Sequence, residues 1–350
     1  MAIRVLVVDD SAFMRRVIGE AIGSQPDLEL AGVAHNGLDA LLKVEQLLPD
    51  VVTLDVEMPE MDGLTALRHL MVRYPRPVVM LSTMTQRGAV TTLQALSMGA
   101  VDFVAKPSGS ISLDFPSVRD ELIQKIRVAA RARIHSRTAV AQPVAPSASL
   151  AVTPRSRPFE RVVVIGASTG GPRALGRLIP ALPRDGRTAY ALVQHMPAAF
   201  TKSLADRLNA SSALDIREAT SRDRLASDSM LVAPGDRHLV VTASGAIELD
   251  DSPRVHGVRP SVDVTLQSLA PHLGRRVVVA ILTGMGVDGA AGAEAVHNAG
   301  GYVLAEDEST CVVYGMPRAV VERGVADRIV PLDEMAAAIS AALVVKEAVL

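Results

Sequence analysis

Between residues 135 and 158 the chain reads HSRTAVAQPVAPSASLAVTPRSRP, with four prolines, four serines and no periodic apolar pattern. A stretch of this kind gathers no apolar face and resists helix and sheet alike, so it reads as a linker. In a chain of 350 residues, above the size that one hydrophobic core usually serves, it leaves two segments, 1–134 and 159–350, each long enough to bury a core of its own.

Both segments carry the same alternation. In the first, short apolar runs at Val5–Val8, Leu28–Val33, Val51–Leu54, Val78–Leu81 and Val101–Val104 alternate with helix-period stretches. The first such stretch places Phe13, Val17 and Ala21 at i, i+4 and i+8 with Met14, Ile18 and Ile22 beside them, which predicts a wide apolar stripe packed on a sheet. Five strands, each followed by a helix, predict a doubly wound five-stranded parallel sheet with its site at the carboxyl ends of the strands. In the second segment Val162–Ile165, Ala189–Val193, Met230–Val232, Leu239–Val241, Val277–Leu282 and Tyr302–Leu304 read as strands. They predict a larger doubly wound, mainly parallel α/β domain. No repeat of 20 to 50 residues is evident.

Composition narrows the function classes. Residues 1–134 carry 14 basic and 16 acidic side chains, and residues 159–350 carry 19 and 22. Neither half has the basic excess of a nucleic-acid binder, so a DNA-binding output domain is not expected. No apolar stretch is long enough for a membrane span, and MAIRVLVVDD reaches two carboxylates before a signal-peptide core can form, which points to a cytoplasmic protein without membrane insertion. Cys311 is the single cysteine, so an intrachain disulfide and a multi-cysteine metal site are excluded and a buried free thiol is expected.

In the first half Asp9 and Asp10 end the first strand and Asp55 ends the third, which places three carboxylates side by side. They repel one another unless a hard cation such as Mg2+ lies between them. Ser82 follows the fourth strand and Lys106 the fifth, with Pro107 after it to shape the turn. One carboxylate is then available as a phosphoryl acceptor, two hold the cation, and a hydroxyl and an ammonium reach the added oxygens. Taken singly, Asp9 or Asp10 also suits a cap for the helix that begins near Ser11. The layout resembles the receiver domain of response regulators over roughly residues 1–130. That resemblance implies Asp55 as phosphoacceptor, Asp9 and Asp10 as the metal-binding pair, Glu57 as a further metal ligand through its backbone carbonyl, and Ser82, Lys106 and Phe103 as the switch residues. It also implies a histidine kinase as phosphodonor and Mg2+ as the cofactor of phosphorylation.

The second half opens on VVVIGASTGGP, in which Gly166-Ala167-Ser168-Thr169-Gly170 fits G-x-S-x-G between a strand and a helix starting near Pro172. A dinucleotide site would need glycine where Ser168 stands and a carboxylate where the next strand ends in Gln194-His195, so a nucleophilic serine is the better reading. A serine needs a base to take its proton and a carboxylate to orient that base. His195 follows the strand Ala189–Val193, and Asp288 follows Val277–Leu282. Asp288 also suits a cap for the helix that follows it. Histidines 135, 238, 256, 272 and 297 compete for the role of base, His256 in RVHGVRPSVD most strongly.

GASTGG, QHMP, RPSVD, LTGMGVDG and VVYGMP, in this order, resemble the chemotaxis-type protein-glutamate methylesterase domain. The resemblance spans receiver, linker and catalytic domain. It implies Ser168 as nucleophile, His195 as general base and then acid, Asp288 as the orienting carboxylate, the backbone N–H of Met285 as oxyanion donor and Thr169 beside the site. It further implies hydrolysis of glutamyl methyl esters on the cytoplasmic domain of chemoreceptors, deamidation of receptor glutamines through the same acyl-enzyme, no cofactor for the hydrolysis, and inhibition by an unphosphorylated receiver. The alternative is a phosphorylation-dependent binding regulator without catalysis.

Overall fold

The structure, a computed structural model, describes residues 2–106, 115–132 and 158–347. Pro107, His135 and residues 135–157 of the expected linker lie outside the described residues. Contacts divide the chain into two units, Met1–Val140 and Ala141–Leu350.

The first unit runs β1 (Ile3–Val8), α1 (Ala12–Gly23), β2 (Leu28–Ala34), α2 (Gly37–Leu47), β3 (Val51–Asp55), α3 (Gly63–Arg73), β4 (Val78–Thr83), α4 (Gln86–Met98), β5 (Asp102–Lys106) and α5 (Phe115–Ala129). All strand pairs are parallel and their order is β2-β1-β3-β4-β5, so the chain winds first one way from β1 and then the other. Strands β1, β3 and β4 are mostly apolar because helices cover both faces of the sheet, and Val5 to Val8 of β1 are all fully buried, whereas the edge strand β2 leaves Glu29 and Val33 exposed. Helix starts follow from capping side chains. Ser11, Asn36, Asp62 and Thr85 each accept a hydrogen bond from the backbone N–H three residues on. The cap of α1 is thus Ser11, not Asp9 or Asp10. The stripe on α1 is narrower than expected: Ile18, Ala21 and Ile22 are buried, whereas Phe13 is 51% exposed. At 100° per residue Phe13 lies about 140° around the helix from Ile18, which turns it from the sheet.

The second unit runs β6 (Arg161–Ala167), α6 (Gly171–Leu178), β7 (Thr188–Gln194), α7 (Ala198–Ala210), β8 (Asp215–Glu218), β9 (Ser229–Val232), β10 (His238–Val241), β11 (Ile247–Asp250), α8 (Val262–Leu273), β12 (Val277–Ile281), α9 (Ala290–Asn298), β13 (Tyr302–Glu306), α10 (Met316–Glu322), β14 (Arg328–Val330) and α11 (Leu332–Glu347). Seven strands in the order β14-β13-β12-β6-β7-β9-β8 form one sheet whose pairs are all parallel. The expected strand at Leu239–Val241 exists but pairs antiparallel with β11 in a separate two-stranded ribbon. Strands β8, β11 and β14 carried no signal in the sequence because they are three or four residues long and partly exposed. No described helix is long and apolar enough to cross a membrane.

Strand β6 is the centre of this sheet. The chain leaves it through α6 to β7 on one side, and β12 later lies against its other side. Such a reversal of winding opens a crevice at the carboxyl end of the strands, where ligands of doubly wound sheets bind. Every residue of β6, β7 and β12 is buried, which holds that edge rigid.

A candidate hydrolytic site and a candidate phosphoacceptor pocket

Ser168 leaves β6, His195 leaves β7 and Asp288 follows β12, so the three come from adjacent strands at one edge. His195 Nε2 lies 2.7 Å from Asp288 Oδ2, with both side chains buried. Ser168 is half-buried, and among the described residues its Oγ meets no hydrogen-bond partner. Its backbone is firmly held: Ser168 N–H donates to Thr283 O at 3.0 Å, and Ser168 O accepts from Gly171 N at 2.8 Å. The turn that lifts the serine takes its positive φ, 80°, at Gly170, where a side chain would strain the backbone.

The sequence offers Asp288 as a cap for the helix after it. Instead Gly289 is the cap of α9, and Asp288 reaches across to the start of α8. Its Oδ1 accepts from Ser261 Oγ at 2.6 Å and from Asp263 N at 3.2 Å, and Oδ2 accepts from Val262 N at 2.7 Å besides meeting His195. Burial alone would raise this carboxyl. The His195 hydrogen bond and charge, with Ser261 and Val262, overcome burial and hold it below the ordinary carboxylate value. Ser261 was missed in the sequence, although the RPSVD motif contains it; only the fold brings it to Asp288.

His256, the strongest rival as base, pairs with Asp263 at 3.1 Å and is half exposed. His238 is buried, accepting from Ser261 N through Nδ1 at 3.1 Å. Neither has a hydrogen bond to Asp288. Thr169 is buried, and its carbonyl accepts from Thr283 Oγ1 at 3.0 Å. The side chain of Met285 is 40% exposed, and among the described residues its backbone N–H donates to no carbonyl. The loop around it is pinned, since Gly284 N donates to Val313 O and Gly284 O accepts from both Gly315 N and Met316 N. Cys311 is a buried free thiol, as expected, and burial, with the acidic groups beside it, pushes its pKa up and keeps the thiol protonated.

In the first unit Asp9, Asp10 and Asp55 each offer an oxygen within 4.8 Å of the others. Lys106 Nζ sits 2.8 Å from Asp9 Oδ2 and 2.7 Å from Asp55 Oδ2. Asp9 Oδ2 is buried and receives no well-aligned hydrogen bond, and the donor set is hard oxygen throughout, which fits a cation such as Mg2+. Ser82 is buried and turned toward α4, accepting from Thr92 Oγ1 at 2.7 Å. Phe103 is buried, and its carbonyl accepts from Lys125 Nζ at 2.5 Å.

Burial pushes the Asp55 carboxyl up to about 6 against the pull of Lys106, with Asp9 adding to the rise and the Glu57 backbone opposing it. Because the folded value lies above the unfolded one, the charged form costs stability at neutral pH, and that cost disappears as pH falls below the ordinary carboxylate value. In magnesium-free buffer Asp55→Asn is therefore expected to stabilise the first unit by about 1–3 kcal/mol at mildly alkaline pH, and by much less in acid. Denaturant titrations at the two pH values check this, and an equal gain at both contradicts it.

A parallel α/β sheet with serine, histidine and aspartate at one edge, joined to a five-stranded unit with clustered carboxylates beside a lysine, is the layout of a hydrolase linked to a receiver-type unit. The comparisons make the class specific. The CheB methylesterase family matches residues 163–339, and the response regulator receiver domain matches residues 5–114. The chain is 52% identical over 351 residues to a Symbiobacterium thermophilum protein called protein-glutamate methylesterase/protein-glutamine glutaminase, the match covering 97% of each chain. It is 46% identical over 332 residues to the Thermotoga maritima protein of the same name, covering 94% of this chain and 95% of that one. The crystal structure of the Thermotoga maritima CheB methylesterase catalytic domain aligns with a TM-score of 0.50 at 43% identity, covering 53% of this chain and 98% of that one. The chain belongs to the CheB methylesterase family, with a receiver domain ahead of the methylesterase domain.

Proposed function

We propose that this chain is a phosphorylation-regulated serine esterase of the cytoplasm that hydrolyses glutamyl methyl esters on chemoreceptors to glutamate and methanol, and deamidates receptor glutamines. The observation that carries the reading is the 2.7 Å contact of His195 Nε2 with an Asp288 carboxylate saturated by donors, at the edge where Ser168 leaves the neighbouring strand. The relatives named above support the substrate class. Catalysis is assigned to residues 159–350 and regulation to residues 1–134, joined through 135–158.

Since Nε2 is engaged by Asp288, Nδ1 is the ring nitrogen left to act as base. His195 Nδ1 takes the Ser168 proton as Oγ adds to the ester carbonyl, and the oxyanion is met by the Met285 N–H with Thr169 beside it. The imidazolium, steadied by Asp288, then gives its proton to the departing methoxide as the ester C–O bond breaks. Water, deprotonated by His195, adds to the acyl-enzyme and releases glutamate. With a glutamine side chain the same steps release ammonia in place of methanol.

In the receiver, Asp55 accepts the phosphoryl group from a histidine kinase. Asp9, Asp10, Asp55 and the Glu57 carbonyl would hold Mg2+, which when bound neutralises the charge that gathers on the transferred group. Lys106 is already within reach of Asp55 for a phosphoryl oxygen, and Ser82 leaves its contact with α4 to reach another, a change sensed at Phe103.

The test is methanol release from a methylated chemoreceptor cytoplasmic fragment by the full chain, with and without Mg2+ and a small phosphoryl donor. Release that rises on phosphorylation supports the whole reading. Binding of the fragment without release of methanol or ammonia favours the non-catalytic regulator.

A further inference from the structure

Gln194, the last residue of β7, is buried at 1% exposure and directs its side chain over the end of β6. Its Nε2 donates to Ser168 O at 3.0 Å and to His195 O at 3.1 Å. One amide group therefore ties the carbonyl of the serine to the carbonyl of the histidine. The opposite orientation of the amide would point its oxygen at both carbonyls, so the contacts themselves settle which atom is nitrogen. The other end of the amide has no such reward: Oε1 is buried and meets no hydrogen-bond donor. It abuts Gly171, where a Cβ would come within 2.0 Å of it. The unpartnered oxygen is a cost that a residue serving packing alone would avoid, since an apolar side chain of the same shape would fill the space and leave no polar atom unpaired.

We propose that Gln194 is a positioning residue for the hydrolysis: its amide sets the separation of the nucleophile from its base by clamping the backbone of Ser168 to that of His195. The proposal rests on the reading of Ser168 and His195 given above. It explains a specific geometric need. Ser168 sits on a turn one residue past its strand and His195 on another, and among the described residues no side-chain hydrogen bond joins them, so their relative placement depends on the backbone. Small displacements of reacting groups cost large factors in rate. A clamp on the two backbones acts on the chemical step and leaves substrate binding alone.

The experiment uses the full chain activated with Mg2+ and a small phosphoryl donor, and follows methanol release from a methylated chemoreceptor cytoplasmic fragment. Gln194→Met keeps the length of the side chain, removes both donors and removes the unpartnered oxygen. The expected result is a fall in kcat of about tenfold or more, with KM within about twofold of the wild type and an unchanged thermal unfolding midpoint. Gln194→Glu keeps the shape and places an acceptor against two carbonyls; it is expected to lose at least as much turnover, and it decides the matter if Gln194→Met does not fold. A kcat within about twofold of the wild type in a folded variant overturns the proposal. So does a loss of turnover matched by an equal loss of folded protein. A wild type that releases no methanol sinks the assignment of Ser168 and His195 first, and this inference with it.

Discussion

Asp288→Asn is expected to lower kcat for methyl ester hydrolysis by about three to four orders of magnitude and leave substrate binding nearly unchanged. The carboxylate now accepts from His195 Nε2, Ser261 Oγ, Val262 N and Asp263 N. An asparagine can accept through one oxygen only, so its amide nitrogen must face at least one of these donors. If it faces His195, the ring turns to the wrong tautomer, with the proton on the nitrogen that should act as base. If it faces the helix start, the first N–H groups of α8 lose their acceptor. Removing one such buried partner costs about 1–3 kcal/mol of stability, so unfolding should be measured alongside rate. The wild-type pH dependence has a definite sign. The Asp288 carboxyl is held below its ordinary value, so the stability it contributes is present above the unfolded carboxylate value and is lost as pH falls through the folded one. Asp288→Asn should flatten that acid-side loss. A variant that keeps more than a tenth of wild-type kcat would remove Asp288 from the catalytic machinery.

His195→Ala is expected to reduce turnover by about three orders of magnitude or more, while His256→Ala keeps most of it. The two differ in what they touch. His195 is buried at the strand edge against Asp288, whereas His256 is half exposed against Asp263, whose other carboxylate oxygen accepts from Gly292 N at 2.6 Å. Burial raises the Asp263 carboxyl, and the Asp288 charge adds to that rise. Loss of His256 should therefore affect stability more than rate. Initial rates of methanol release from both variants decide between them, and the reverse order of effects would move the base to His256.

The strand ends were legible in the sequence because a buried strand is an apolar run and the first polar residue after it stands at the sheet edge. Asp55, Lys106 and Ser168 stand out in this way; His195 comes one residue after Gln194 at such an end, and Asp288 lies six residues past Leu282 in the loop that follows. Their partners were not legible. Ser261 and Asp288 are 27 positions apart and meet only because α8 begins beside the end of β12. Gln194 reads as the polar end of a buried strand, and nothing local tells that its amide reaches back 26 residues to Ser168. Local reasoning also misdirected the capping of α9, since an aspartate before a glycine-alanine run suits an N-cap, and the longer-range bonds to α8 prevailed. Strands β8, β11 and β14 escaped notice for a related reason. They are too short and too exposed for a period to show, and their pairing depends on neighbours the sequence does not place beside them.

The most direct measurement is methanol release from a methylated chemoreceptor cytoplasmic fragment by the wild type and by Ser168→Ala, side by side, with Mg2+ and a small phosphoryl donor in both. The account predicts steady release by the wild type and a loss of at least about a thousandfold in the variant, with only the residual catalysis of the oxyanion donors left. Release by Ser168→Ala at near the wild-type rate would contradict it and place the nucleophile elsewhere.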